Sequence, residues 1–469
     1  MKKAVSISIG LFFAFFAYFS FTSYHLPNSA GPDFKFSRLA ADFYYEENRL
    51  AVVPDDIDKM VFSKYGNSRL LRPPLGFFFS AQVAKLPILN KANRAYAYRV
   101  GVAMLAASTV LLLFLSLKVY FNSYRYALFG SVAIGLMPQF TFYASYFSDD
   151  MIAIFAASLL AYAMVLIYKH GVSLWRQLLF ALAAGICIVS KATAWVFLAP
   201  AILFYLLFML EYSKDYFLSK DFYKPFLLMG LAFIVGGGWW LIFNVYHYGL
   251  DDYRLSNVVA ELAESRSTLD LSALGFKMKG LDIQHLIFLN SKNFLGASYI
   301  AFVANLDWLR LKVGTLQYGF YLWMIAGFVL NTIVLAYQTA MHLMSRLTYS
   351  DTEFSWGQFK FETILYIAVL LQFYIYTYHN VESDVQIQGK YLMTIFVPLL
   401  ILSLSFYKKA IDYLTWRFAD VLEIPTAIQY SLFASLIAFT VLIHIDALVD
   451  FVIPFYWPNM EIPAILSWL

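Results

Sequence analysis

The chain has 469 residues, of which 61% are hydrophobic and 14% charged, and its mean hydropathy is +0.64; soluble domains carry about 25% charged residues, so a water-soluble globular protein is excluded. A net charge of +4 is too small to hold a polyanion such as nucleic acid, and the basic residues fall in short clusters between apolar runs, where they orient membrane segments. The single cysteine, Cys187, excludes an intrachain disulfide framework.

A membrane-crossing helix needs about 20 mainly apolar residues, and eleven stretches read as candidates: 4–23, 97–117, 126–144, 151–168, 177–190, 193–210, 225–245, 317–338, 362–378, 391–406 and 428–449. The first follows Lys2 and Lys3 and lacks a small-residue cleavage site, so it reads as a retained span, not a signal peptide. Only "SKATA" separates the fifth from the sixth. The expected architecture is an all-α polytopic membrane protein, one integral-membrane domain over 1–469. Basic residues in short loops set its orientation. With a cytoplasmic N-terminus, the inner segments hold Lys2, Lys3, Lys118, Arg125, Lys169, Arg176, Lys214, Lys220, Lys224, Arg346, Lys360, Lys408, Lys409 and Arg417, whereas the short outer ones hold only Lys191 and Lys390. That puts two long loops, 24–96 and 246–316, and the turn "FSDD" on the outer face.

The first outer loop opens with "NSAGPDFKF", passes through "VVPDDIDK" and closes with "LLRPPLGFFFSAQVAKLPIL". The last run is too interrupted to span. It suits an interfacial helix starting at Pro73 or Pro74, because proline fits a first helical turn and the aromatics would lie at the headgroup level. The second loop carries a soluble helical pattern in "NVVAELAESRSTLDL" and reads as a small external cap. No internal repeat or low-complexity tract is visible.

Ionisable groups at membrane depth are expensive and mark polar cavities. Four elements of this kind converge on the outer face: Asp33 after the first span, Asp149 and Asp150 between the third and fourth, Lys191 between the fifth and sixth, and "VQIQGKYLM" between the ninth and tenth. A carboxylate there can take a proton from an attacking hydroxyl, and Lys191, Lys390 or Arg72 can neutralise a phosphate. This is equipment for moving a sugar from a phosphate-linked lipid.

In order along the chain, "GPD", "RPPLGFFF", "ASYFSDDMIAIFAASLLAY", "SKATAWVFLAPAIL" and "QGKYLMTIFVPLL" resemble the motifs of the GT-C glycosyltransferase superfamily, the last being similar to the "QGRYLLP" pattern of a bacterial branch. The resemblance implies a GT-C-like fold and a catalytic set of Asp33, Asp149 and Asp150. Asp33 would be the general base or acceptor-orienting group. Asp149 and Asp150 match an acidic position that in some members helps hold a divalent metal and in others does not, which leaves metal use open and no other cofactor implied. Arg72, Lys191 and Lys390 match basic positions at the lipid phosphate, with Gln388 and Tyr391 flanking and His247, in "FNVYHYGLDD", as an additional candidate. Two departures stand out. Lys390 replaces the arginine of the bacterial pattern and cannot grip phosphate with two prongs, and Phe34 occupies a place where many relatives have a second acid, which weakens Asp33 as a metal ligand.

Each residue also has a structural reading. Asp149 or Asp150 could cap the fourth span, Asp33 could be a turn residue, and both lysines could snorkel. "GGGWW" reads as close helix packing and the seven histidines show no metal-ligand spacing. The leading expectation is an inverting membrane glycosyltransferase in a bacterial inner membrane, working on the outer face with a polyprenyl-phosphate sugar as donor and a glycan, lipid or protein as acceptor. A transporter or flippase of lipid-linked glycan would instead need a charged path through the bilayer and two related halves, and a non-catalytic assembly subunit would tolerate charge reversal at Asp149 and Asp150.

Overall fold

The computed structural model describes residues 2–28, 30, 31, 33–212, 223–270, 277, 280–289, 293–347, 355–383, 385–417 and 426–458. Lys214 and Lys220, counted above toward the inner face, lie outside these. In chain order the helices are α1 Lys2–His25, α2 Phe34–Glu47, α3 Leu75–Ala84, α4 Arg94–Phe121, α5 Tyr124–Gly135, α6 Pro138–Ser145, α7 Asp150–His170, α8 Leu174–Ser190, α9 Ala192–Trp195, α10 Leu198–Tyr212, α11 Tyr223–Phe233, α12 Trp239–Tyr248, α13 Ser256–Arg266, α14 Phe294–Ala304, α15 Thr315–Leu347, α16 Trp356–Glu382, α17 Phe396–Arg417 and α18 Thr426–Ala447. The protein is all-α and polytopic.

All eleven apolar stretches are helical, but they are not eleven equal spans. Among the described residues nine helices are long and apolar enough to cross a bilayer. The third stretch is a pair, α5 and α6, bent by 63° where Pro138 starts a new helix; proline cannot continue the hydrogen-bond ladder of the preceding turn. The fifth stretch, α8, has only 17 residues. The glycines of "GGGWW" end a π-helical turn, Ile234–Gly238, that packs on α8 between α11 and α12, and its two tryptophans begin α12.

Inside a bilayer the hydrophobic effect does not drive helices together, so close approach of small residues does. The central pair shows this. Helix α4 buries Gly101, Ala103, Ala106 and Ala107, and its partner α7 buries Ala153, Ala156, Ala157, Ala161 and Ala163. Helix α1 packs against α4 while leaving Ile9, Phe13 and Phe21 exposed. Its end is fixed by a buried cation: the Arg99 guanidinium donates to the carbonyls of Ser23 (2.9 Å), Leu26 (2.6 Å) and Pro27 (3.1 Å). Ser23 lies in the last turn, whose carbonyls lack intrahelical donors, and Leu26 and Pro27 follow it, so Arg99 ties the end of α1 to the start of the first outer loop.

That loop is structured. The expected interfacial helix is α3, with Pro74 at its N-cap. Before it, α2 follows Asp33 directly and packs on α3. In the second loop the soluble pattern becomes α13. Helix α14, 11 residues long and apolar, carried no separate sequence signal; it packs against α6, α15 and the 3-10 turn Gly389–Ile395.

Candidate functional site

Three turns bring charge to one end of the helical assembly. The turn between α6 and α7 supplies Asp149 and Asp150. Ser148 accepts from the Asp150 backbone N–H at 3.2 Å, and neither carboxylate caps α7. Asp149 thus holds the N-cap position and Asp150 the first turn, as the structural reading expected, but neither bonds a helix amide because both carboxylates are taken by Lys191, whose Nζ donates to Asp149 Oδ1 at 2.7 Å and to Asp150 Oδ1 at 2.5 Å. Lys191 reaches them because the chain runs extended between α8 and α9.

The turn after α16 supplies Lys390, whose Nζ lies 3.5 Å from Asp150 Oδ2. Its position depends on the preceding glycine. A Cβ on Gly389 would sit 2.2 Å from the Ala301 carbonyl oxygen of α14, so only glycine lets this turn seat against that helix. Gly31 plays a similar part for "GPD". A Cβ there would meet the Tyr146 ring at 2.3 Å, and the Tyr146 hydroxyl donates to Asp150 Oδ2 at 3.4 Å.

Two arginines enter from the first outer loop. Arg69 and Arg72 flank a 3-10 turn, where residues three apart point the same way. Each has an Nη1 atom 3.7 Å from Asp149 Oδ2, and Arg69 Nη2 donates to Asp33 Oδ2 at 2.5 Å. Asp33 adopts a left-handed backbone (φ 60°) at the head of α2, yet its side chain caps no amide of that helix. Left-handed backbone costs a non-glycine residue about 1–2 kcal/mol, and aspartate is among the residues that tolerate it. The conformation turns the carboxylate toward Arg69 and the cavity.

Three carboxylates and four cations thus share one cluster, a formal excess of one positive charge. Asp149 and Asp150 are 4% and 6% exposed, Asp33 and Arg72 each 37%. Burial by itself would raise the Asp149 carboxyl, but attraction from Lys191, Arg69 and Arg72 outweighs it and holds the group below the ordinary carboxylate range.

A cavity of about 600 Å³ opens beside this cluster and is lined by Asp33, Arg69, Arg72, Lys191, Gln388, Lys390 and Tyr391. Its opposite wall comes from α16, through Gln372, Tyr376, His379 and Glu382, the last paired with Lys277 at 3.1 Å. Those residues lie on one helical face, at spacings of four and three. The Tyr376 and Tyr391 rings stand 6.1 Å apart, and Gln372 Nε2 donates to the Tyr391 carbonyl at 2.6 Å. The Tyr391 hydroxyl donates to Gln386 Oε1 at 3.0 Å.

Against the sequence expectations, six of the nine named residues line this cavity. Asp149 and Asp150 sit behind its wall, bonded to the lysine that lines it. His247 is an exposed residue of α12 that touches the Phe243 and Tyr246 rings and takes no part in the cavity; the polar look of its segment comes from the loop end of a span. Arg69 was missed, although its place three residues before Arg72 in "RLLR" is a readable signal. Gln372, Tyr376 and His379 were missed as well, and their signal is a polar stripe on an otherwise apolar helix.

A divalent metal does not fit. Among the described residues no group of three His, Cys, Asp or Glu side chains is placed to hold a metal ion, and the paired aspartates already face ammonium and guanidinium groups that would repel a cation.

Residues 71–240 match the family model described as dolichyl-phosphate-mannose-protein mannosyltransferase. That stretch holds Arg72, Asp149, Asp150 and Lys191, but neither Asp33 nor Lys390. Among solved structures, ArnT from Cupriavidus metallidurans bound to undecaprenyl phosphate is similar at 13% identity with a TM-score of 0.51, over 93% of this chain and 69% of that one. The oligosaccharyltransferase AglB from Archaeoglobus fulgidus, in complex with an inhibitory peptide and a dolichol-phosphate, aligns at 14% identity with a TM-score of 0.47, over 93% and 54%. A search of curated proteins gives no match. The chain is a multi-pass membrane protein that matches the dolichyl-phosphate-mannose-protein mannosyltransferase model over residues 71–240 and shares its fold with ArnT.

Proposed function

We propose that this protein transfers a sugar from a polyprenyl-phosphate-linked donor to a hydroxyl or comparable nucleophile of a glycan, lipid or protein. The observation that carries the reading is the ion-paired cluster of four cations and three carboxylates beside a cavity shared by Asp33 and Lys390. Val196 and Ile375 also line that cavity, so its wall is in part apolar. Such a site suits a phosphodiester whose tail stays among the helices. The match to the mannosyltransferase family and the fold shared with an enzyme that binds undecaprenyl phosphate support the same chemistry.

In the proposed reaction the acceptor oxygen attacks the anomeric carbon. The bond from that carbon to the phosphate oxygen breaks, and its electron pair leaves with the phosphate. Asp33 takes the acceptor's proton. Arg72, Lys191 and Lys390 hold the phosphate as its negative charge grows, which is the interaction that strengthens in the transition state. Asp149 and Asp150 act behind them, keeping the lysines aimed. Direct attack implies inversion at the anomeric carbon. The site would face the outer side of a bacterial inner membrane with the N-terminus cytoplasmic, as the distribution of basic residues argues.

The test is reconstitution of the full chain with polyprenyl-phosphate sugars, following release of polyprenyl phosphate and the anomeric configuration of the product. Turnover with inversion supports the reading. A chain that binds no polyprenyl phosphate and consumes no such donor overturns it.

A further inference from the structure

Arg69 stands apart within the cluster. Among the described residues it is the cation that touches Asp33, at 2.5 Å, while its other terminal nitrogen lies 3.7 Å from Asp149. Arg72, Lys191 and Lys390 face Asp149 and Asp150 instead. Asp33 leaves the amides of α2 uncapped in order to meet Arg69. The acid assigned above as the base is therefore engaged by a guanidinium before any substrate arrives.

We propose that Arg69 is a positioning residue shared in turn between Asp33 and the donor phosphate. With the cavity empty it holds the Asp33 carboxylate. An entering phosphodiester draws the guanidinium onto its own oxygens and leaves Asp33 free to accept the acceptor's proton. The inference rests on the glycosyltransferase reading above and adds an order to it: donor first, acceptor second.

Three features favour the exchange. The cluster carries one cation more than it has carboxylates, so a singly charged phosphodiester neutralises it without breaking the buried Lys191 pairs. Asp33 is far more exposed than Asp149 or Asp150, so water can solvate it on release at the lowest cost. Arginine presents five N–H donors in a fork that fits carboxylate and phosphate alike, and the Asp149 contact keeps Arg69 in place during the change of partner.

The test measures binding of undecaprenyl phosphate to the full chain in nanodiscs, for wild type, Asp33→Asn, Arg69→Gln and the double variant. Removing the competitor should tighten binding by roughly tenfold in Asp33→Asn. Arg69→Gln should weaken binding, and the double variant should match Arg69→Gln, because the gain acts through the missing guanidinium. If Arg69→Gln fails to fold, Arg69→Lys replaces it, and the Asp33→Asn gain should shrink there. A gain that persists undiminished without Arg69, or no gain at all, overturns the exchange while leaving the glycosyltransferase reading standing. Wild type that does not bind undecaprenyl phosphate removes both.

Discussion

Two buried ion clusters lie on either end of helix α16, and their contrast separates a binding site from a fastening. Glu362 and His379 are 17 residues apart on that helix, about 25 Å at 1.5 Å per residue. At the far end Glu362 is fully buried and every oxygen is occupied: Tyr120 (2.9 Å) and Gln358 (2.8 Å) donate to Oε1, and Asn331 (3.2 Å) and Lys409 (3.3 Å) to Oε2. Charge is balanced one to one. A hollow of about 270 Å³ adjoins Glu362 and Lys409, yet the network leaves the carboxylate nothing to offer a ligand. At the cavity end the ion-paired cluster holds four cations against three carboxylates, Glu382 on the facing wall being paired with Lys277, and Arg72 and Asp33 keep open faces. Burial of charge marks both places; unbalanced stoichiometry marks the one that can take up an anion.

The comparison can be broken most decisively at Asp33. Asp33→Asn should slow sugar transfer by at least about a hundredfold, the usual scale for loss of a general base, with normal folded yield in membranes. Full activity would move the chemistry elsewhere. Next in size is Lys191→Met, which leaves two adjacent buried carboxylates without their shared partner. Breaking a buried pair in this way costs about 3–5 kcal/mol, seen as a lower unfolding temperature in detergent together with lost donor binding. A variant that stays stable and binds donor normally would show that Lys191 does not organise the cluster.

Glu362→Gln sharpens the contrast from the other side. The amide nitrogen would face donors at Asn331 or Lys409, leaving a buried donor unsatisfied at about 1–3 kcal/mol, while undecaprenyl phosphate affinity stays unchanged. A change in affinity would tie the far cluster to the site. The smallest effect is expected at Asp56, in the first outer loop, where hydrogen bonds from Arg49 hold the carboxyl down to about 2. Because the folded value lies below the unfolded one near 3.9, its contribution to stability is present above about pH 4 and is lost as pH falls toward 2. Asp56→Asn should flatten the acid limb of a stability profile over that window; an unaltered limb would refute the assignment.

Much of the site was legible because it obeys one-dimensional rules. Asp33, Lys191 and Lys390 are charged residues at the ends of apolar runs, where bilayer energetics makes them conspicuous. Arg69 sits in a loop rich in charge, where only its spacing from Arg72 sets it apart from Arg49 or Lys59. Tyr376 and His379 fall inside a span whose aromatic content masks them. His247 misled in the opposite sense: a polar segment leaving a span is expected at any membrane surface.

Hydropathy and basic-residue bias settle from the sequence alone that the chain is a polytopic helical membrane protein with its unusual charges near the ends of its spans, because moving apolar side chains and charges between water and lipid is a local cost paid residue by residue. What only the tertiary structure decides is partnership. Sequence alone leaves Asp149 and Asp150 open as site residues or helix caps, and only the structure shows that Lys191, 42 and 41 residues away in sequence, bonds both. Likewise the surplus cation emerges only when Arg69 and Arg72 from one loop meet Lys390 from another. Coulomb energy depends on distance in space, and separation along the chain does not encode it.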